Sequence, residues 1–253
     1  MSYLEIYRSV KANYTPEKRA DEKISDYPGY LIYRPISFVI TPFFISLRIS
    51  ANATTVLSIA VAIIQLPIAC FGGDLAFIWI SVNGVFFHIL DCVDGNIARH
   101  NRKSSVVGQM LDSVASMTFW LCFMISAGIL AHKSAFSDLG QQSFVLSLIL
   151  GTIYLLHREL EDTMQMYLSS RVTLTPAPTT IAGKNDAYPS RRIEWGQIGK
   201  VLEHIWTVLI LIAAGSTNNL DYYFLAIFVY QSSMFAFWIP RYISSLIRRS
   251  RQE

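Results

Sequence analysis

The chain has 253 residues, is 52% hydrophobic and only 15% charged, and its mean hydropathy is positive, whereas a soluble domain is roughly 25% charged. That composition excludes an ordinary soluble protein, and a net charge of +3 is too small to argue for a nucleic-acid partner. The three cysteines, Cys70, Cys92 and Cys122, are odd in number and sit in apolar stretches, which argues against a disulfide framework.

Taken in chain order, the first 30 residues are polar and mixed in charge and lack the apolar core of a signal peptide. Residues 1–29 therefore read as a cytosolic segment. The stretch "PISFVITPFFISL" follows at 35–47, bracketed by Arg34 and Arg48. As a helix it would span only ~20 Å, and Pro35 and Pro42 oppose a straight crossing. The region 30–48 is expected to be an amphipathic helix lying in the membrane interface, with its arginines among headgroups.

Apolar runs then recur at 51–72, 75–90, 113–131, 143–156, 201–215 and 220–240. Crossing a ~30 Å hydrocarbon layer takes about 20 helical residues. The first, third and sixth runs are long enough alone, and the others need polar residues that face neighbouring helices. Six crossings place the amino terminus, the 99–112 loop, the 157–200 loop and the carboxyl terminus on one side. Those regions hold 7, 3, 6 and 4 lysines and arginines, 20 of the 21, and the opposite side holds only Lys133. This asymmetry puts both termini in the cytosol. The expected fold is an all-α membrane protein, with six transmembrane helices at 49–246 after the interfacial helix. A Pro- and Gly-bearing cytosolic loop at 163–197 interrupts the domain, and a basic tail at 247–253 suits contact with anionic lipid.

Charge is concentrated in "DCVDGNIARHNRKSSVVGQMLDSVAS", residues 91–116. At 100° per residue, Asp91, Asp94, Gly95 and Ala98 share one helix face with Arg99 at its edge, and Gly108, Asp112 and Ser116 form a stripe on the next helix. The short connection makes the two helices antiparallel neighbours, so Asp91 and Asp94 can face Asp112. Three ionised carboxylates in such a place repel one another and lose hydration, and a divalent cation relieves both. Oxygen ligands select a hard ion, Mg²⁺ or Mn²⁺, with Ca²⁺ suited to a looser cage. Gly95, Ala98 and Gly108 remove bulk beside the ion, and Arg99 can neutralise a phosphate. Metal, arginine and space together suit a pyrophosphate. A set of interhelical ion pairs with small residues for tight packing is the bland alternative, although ionisable groups at this depth are functional by default.

"DCVDGNIAR" followed eight residues later by "GQMLD" resembles the signature of the CDP-alcohol phosphotransferases, also called CDP-alcohol phosphatidyltransferases. Asp91, Asp94, Gly95, Ala98, Arg99, Gly108 and Asp112 all match it. Upstream, "ANATTVLS" is similar to the family stretch that opens the first span, with Asn52 and Thr55 in place and Ala51 where proline is usual. The resemblance covers about residues 30–135 and is topological beyond. It implies transfer of a substituted phosphoryl group from a CDP-alcohol to a hydroxyl acceptor with release of CMP. It also implies that Asp91, Asp94 and Asp112 hold one or two Mg²⁺ ions, and that Gly95, Ala98, Gly108, Asn52 and Thr55 line the cytidine pocket.

Ser116 departs from the pattern. The family has its fourth aspartate there, a metal ligand and general base, whereas serine takes no proton at neutral pH. A general base contributes ~10²–10⁴-fold, so its loss slows a reaction without necessarily abolishing it. His88, one turn before Asp91, or His100, beside Arg99, are alternative bases, each with a plainer reading as a bundle contact or an interfacial residue. An acceptor that arrives already ionised would need no base. Arg191 and Arg192 could grip an anionic donor or acceptor, although headgroup contact explains them equally well. "HRELED" at 157–162 reads more simply as a solvated helix end than as an acceptor site. The expected protein is a homodimeric, Mg²⁺-dependent transferase of the bacterial inner membrane, in phospholipid or surface-glycan synthesis, with one lipidic substrate. Its competitors are a catalytically impaired nucleotide- and metal-binding or assembly protein, and a cation transporter that would leave Gly95, Ala98 and Arg99 without a role.

Overall fold

The computed structural model describes residues 2–102, 105–133, 142–143, 145–156 and 206–250, and among these every regular element is helical. Helices α1 (Tyr3–Ala12) and α2 (Pro16–Ser25) are followed by a π turn at Gly29–Tyr33 and by α3 (Arg34–Ser46). Then come α4 (Ala51–Phe71), α5 (Ala76–His100) and α6 (Val106–Lys133). A shorter apolar helix, α7 (Val145–Leu156), precedes α8 (Leu211–Ser216) and the long α9 (Leu220–Ser250).

The amino-terminal segment folds by local rules. Ser2 and Glu5 form a reciprocal capping box on α1, and Thr15 caps α2 with Pro16 in its first turn. Ile6 and Val10 of α1 bury against Phe38 of α3. α3 accommodates Pro42 inside its helix and ends in a Schellman closure: the Arg48 and Ile49 amides donate to the carbonyls of Ile45 and Phe44. Arg48 takes the left-handed conformation this requires, at φ 58°. α3 has an inverted polarity. Ile36, Val39, Phe43 and Leu47 are exposed, whereas Arg34, Ser37 and Thr41 are buried. The expectation that Arg34 sits among headgroups is therefore corrected. Arg34 points inward because Glu22, Asn96 and the Cys92 carbonyl supply partners there.

Among the described residues, three helices are long and apolar enough to cross a membrane: α4, α5 with the turn before it, and α6. They run alternately up and down, so the start of α4, the end of α5 and the start of α6 lie at one end. α5 and α6 are antiparallel as the sequence suggests, but each packs chiefly against α4 and more sparsely against the other. Phe87 and Phe119 stack at 4.3 Å in the buried core, which Phe123, Leu150, Leu211 and Phe224 extend. Gly128 of α6 allows α7 to approach, since a Cβ there would lie 2.3 Å from that of Ser147. At the far end Lys133 donates to the Ala69 and Cys70 carbonyls, which α4 leaves open at its last turn. Cys70, Cys92 and Cys122 are all free thiols. The remaining expected spans are covered partly by α7, α8 and α9, and the 163–197 loop and 251–253 lie outside the described residues.

Candidate functional site

Helix α5 continues unbroken through Asp91, Asp94, Gly95, Ala98 and Arg99, so the predicted face exists. α6 begins at Val106 because Ser105 caps it, its hydroxyl accepting from the Gly108 amide at 3.0 Å. That start sets Asp112 opposite the α5 carboxylates. One oxygen from each of Asp91, Asp94 and Asp112 lies within 4.8 Å of the other two. Among the described residues no ion pair joins any of the three to a cation. Asp94 is 8% exposed and accepts a 2.7 Å hydrogen bond from the Thr55 hydroxyl. Thr55 is held on the first turns of α4, whose cap is the Ser50 hydroxyl accepting from the Ala53 amide.

The cluster borders a cavity of about 470 Å³ at this end of the bundle, within the ~300–1,000 Å³ typical of small-ligand sites. Its wall includes Asn52, Thr55, Asp94, Gly95, Ala98, Arg99, Gly108 and Asp112, all singled out from the sequence. Asp91 belongs to the carboxylate cluster without forming part of that wall. Ser116 is half-buried one turn beyond Asp112 and is likewise off the wall.

The small residues do more specific work than removing bulk. A Cβ at Gly95 would come within 3.2 Å of Arg99 Nη2 and 3.3 Å of Nη1. Arg99 thus lies flat across Gly95, and Asn96 fixes it there through a 2.9 Å bond from Nη2 to Oδ1. A Cβ at Gly108 would lie 3.3 Å from the Asn52 carboxamide oxygen, so this glycine admits the start of α4.

Each of the two alternative bases has contacts outside the carboxylate cluster. The His88 ring stacks on Tyr33 at 5.2 Å and meets Phe119 edge-on at 5.1 Å. His100 Nδ1 lies 3.1 Å from the Ser9 hydroxyl of α1. Arg191, Arg192 and the 157–162 stretch lie outside the described residues.

Sequence reasoning missed Arg102, Ser105 and Gln109 on the cavity wall. Arg102 sits in the left-handed conformation at φ 52°, its amide bonded to the Arg99 carbonyl just past the end of α5. Ser105 was readable as a helix cap preceding an apolar run, and Gln109 follows directly from the Gly108 register.

The donor set fits a hard divalent ion. Carboxylate oxygens at ~2.1 Å from Mg²⁺ lie up to ~4.2 Å apart across it, and three oxygens that all lie within 4.8 Å of one another come close to that span. A family model for CDP-alcohol phosphatidyltransferase matches residues 48–238, which contain the cluster and the cavity wall. No curated protein matches the chain.

Proposed function

Because the chain belongs to the CDP-alcohol phosphatidyltransferase family, we propose that it transfers a substituted phosphoryl group from a CDP-alcohol to a hydroxyl acceptor, releasing CMP. The acceptor oxygen forms a bond to the phosphorus bearing the donor alcohol, the bond from that phosphorus to the bridging oxygen breaks, and CMP departs with that oxygen. The observation that carries this reading is the convergence of three carboxylates, to which no ion pair joins a cation among the described residues, beside a cavity whose wall also holds Arg99.

Asp91, Asp94 and Asp112 would hold one or two Mg²⁺ or Mn²⁺ ions. Such an ion supplies charge neutralisation at the pyrophosphate and at the departing CMP. Arg99 contacts phosphate, while Asn52, Thr55, Gly95, Ala98 and Gly108 line the nucleotide side. The Thr55 hydroxyl orients Asp94, as partners beyond the direct ligands commonly do. Ser116 accepts no proton, so the acceptor's proton leaves to another group, for which His88, packed between the Tyr33 and Phe119 rings, is a weak candidate. Arg191 and Arg192 add weaker contacts to an anionic substrate.

The protein works on this reading in the bacterial inner membrane, as a homodimer of six-span chains with both termini cytosolic. One substrate is a lipid, and the product enters phospholipid or surface-glycan synthesis. Basic-residue asymmetry supports the orientation, and the apolar exposed face of α3 supports its interfacial placement.

Ser116 favours a second reading, a nucleotide- and metal-binding protein with little turnover. Purified protein given Mg²⁺, a panel of CDP-alcohols and hydroxyl acceptors distinguishes them. CMP release above the no-acceptor background supports the transferase. Tight CDP binding without release across the panel supports the binding protein. A large gain in release on Ser116→Asp marks an impaired enzyme, and a loss marks a site built around serine.

A further inference from the structure

Arg99 is held by a chain of buried bonds that starts outside the motif. The Asn96 carboxamide makes four hydrogen bonds. Its oxygen accepts from Arg99 Nη2 at 2.9 Å and from Arg34 Nη1 at 3.2 Å, and its nitrogen donates to Ser37 Oγ at 2.9 Å and Thr41 Oγ1 at 3.2 Å. The direction of this array is fixed. Ser37 and Thr41 spend their own protons on the Arg34 and Ser37 carbonyls, so both can only accept from Asn96. The carboxamide oxygen must therefore face the two arginines. Arg34 also donates to the Cys92 carbonyl and binds Glu22 of α2 through both Nε and Nη2. Arg34 is 9% and Glu22 4% exposed, and Tyr14 donates a 2.8 Å bond to Glu22.

Such an arrangement is costly to desolvate and contributes little net stability against an apolar replacement. Fully satisfied, it fixes geometry, and the geometry it fixes is that of the one motif arginine on the cavity wall. We propose that Arg34, locked by Glu22, is a positioning residue that acts through Asn96 to hold Arg99 flat over Gly95, facing the phosphate-bearing ligand. The amino-terminal helices α1–α3 are on this account part of the phosphate site, although none of their residues lines the cavity. The inference rests on the functional reading above for the identity of the ligand, but not for the coupling between the two arginines.

The test uses the full-length protein in detergent micelles and two readouts. The first is the rate of phenylglyoxal modification of Arg99, followed by mass spectrometry, without any ligand. Arg34→Lys keeps the charge but cannot hold Glu22 and Asn96 together, and it is expected to speed Arg99 modification several-fold. Lys133→Met, at the opposite end, is expected to leave the rate unchanged. The second readout is CDP affinity in a cycle of Arg34→Lys, Arg99→Lys and the double variant. Arg34→Lys weakens CDP binding about ten-fold in the native background and has almost no effect once Arg99 is lysine. Additive losses, or an unchanged Arg99 modification rate in folded Arg34→Lys, overturn the proposal. If Arg34→Lys does not accumulate folded, Thr41→Val removes one acceptor of Asn96 and must shift the modification rate in the same direction. If the native protein does not bind CDP at all, the functional reading fails while the modification rates still decide the coupling.

Discussion

Replacing Gly95 by alanine should move stability and ligand affinity in opposite directions. An interior helical glycine costs ~0.8–1.0 kcal/mol relative to alanine, so α5 itself gains from the change. The new methyl would meet Arg99 Nη2 at 3.2 Å, Nη1 at 3.3 Å and Cζ at 3.6 Å. Restoring ordinary contact at ~3.5–4.0 Å requires the guanidinium to retreat by a few tenths of an ångström. Its 2.9 Å bond to Asn96 then stretches toward the limit of useful geometry. A hydrogen bond to a charged group contributes ~1.5–3 kcal/mol, and losing about half of it, ~0.75–1.5 kcal/mol, amounts to a roughly four- to twelve-fold effect. Gly95→Ala should therefore keep or raise Tm while weakening CDP binding by that factor. Thermal unfolding and CDP titration calorimetry in the same micelles measure both. A Tm fall of several degrees, or CDP affinity within two-fold of native, refutes the assignment of Gly95 as the bed on which Arg99 rests.

Thr55→Val is nearly isosteric and removes the donor to Asp94. It should lower Mg²⁺ affinity ~10–100-fold, as loss of outer partners commonly does, with unfolding temperature almost unchanged; Mg²⁺ titration checks it. Burial pushes the Glu22 carboxyl up, but hydrogen bonds from Arg34 and Tyr14 and the nearby positive charges prevail and hold it below the ordinary 4.5. A depressed carboxylate stabilises above its unfolded value, and the stabilisation fades as pH falls through the folded one. The Tm difference between native protein and Glu22→Gln should thus be full at neutral pH, begin to shrink as pH falls below about 4.5, and vanish only below the folded value; melts across that range test it. Lys133→Met strips the far-end donor from the last carbonyls of α4. It should cost about 0.5–1 kcal/mol and leave CDP affinity intact, which separates bundle stability from the site.

The site was legible because its chemistry is written in short-range helical spacing. Asp91, Asp94, Gly95, Ala98 and Arg99 need only an unbroken α5 to share a face, and Gly108 and Asp112 need only α6 to start at the Ser105 cap. Apolar length likewise located α4, α5 and α6. What escaped the sequence depends on contacts between distant segments. Arg34 read as a headgroup contact because its neighbours are apolar, whereas its partners Glu22 and Asn96 come from two other helices. Asn96 occupied a variable position of the motif and gave no hint of being the hub. Gly95 lies on the cavity wall as its spacing suggests, but its contact with Arg99 could not be read from that spacing. Spacing showed a small residue beside the carboxylates, and only the folded side chains showed that Arg99 rests against it. Arg102 was passed over because its left-handed backbone at the end of α5, which turns it toward the cavity, has no glycine to announce it.

The proposed activity requires the three carboxylates to act jointly. The most direct measurement is CDP titration calorimetry with and without Mg²⁺, on the native chain and on Asp91→Asn, Asp94→Asn and Asp112→Asn. The prediction is CDP binding that depends on Mg²⁺ in the native protein and is lost in each variant while its fold survives. Mg²⁺-independent CDP binding, or variants that bind CDP with Mg²⁺ as the native chain does, would contradict it.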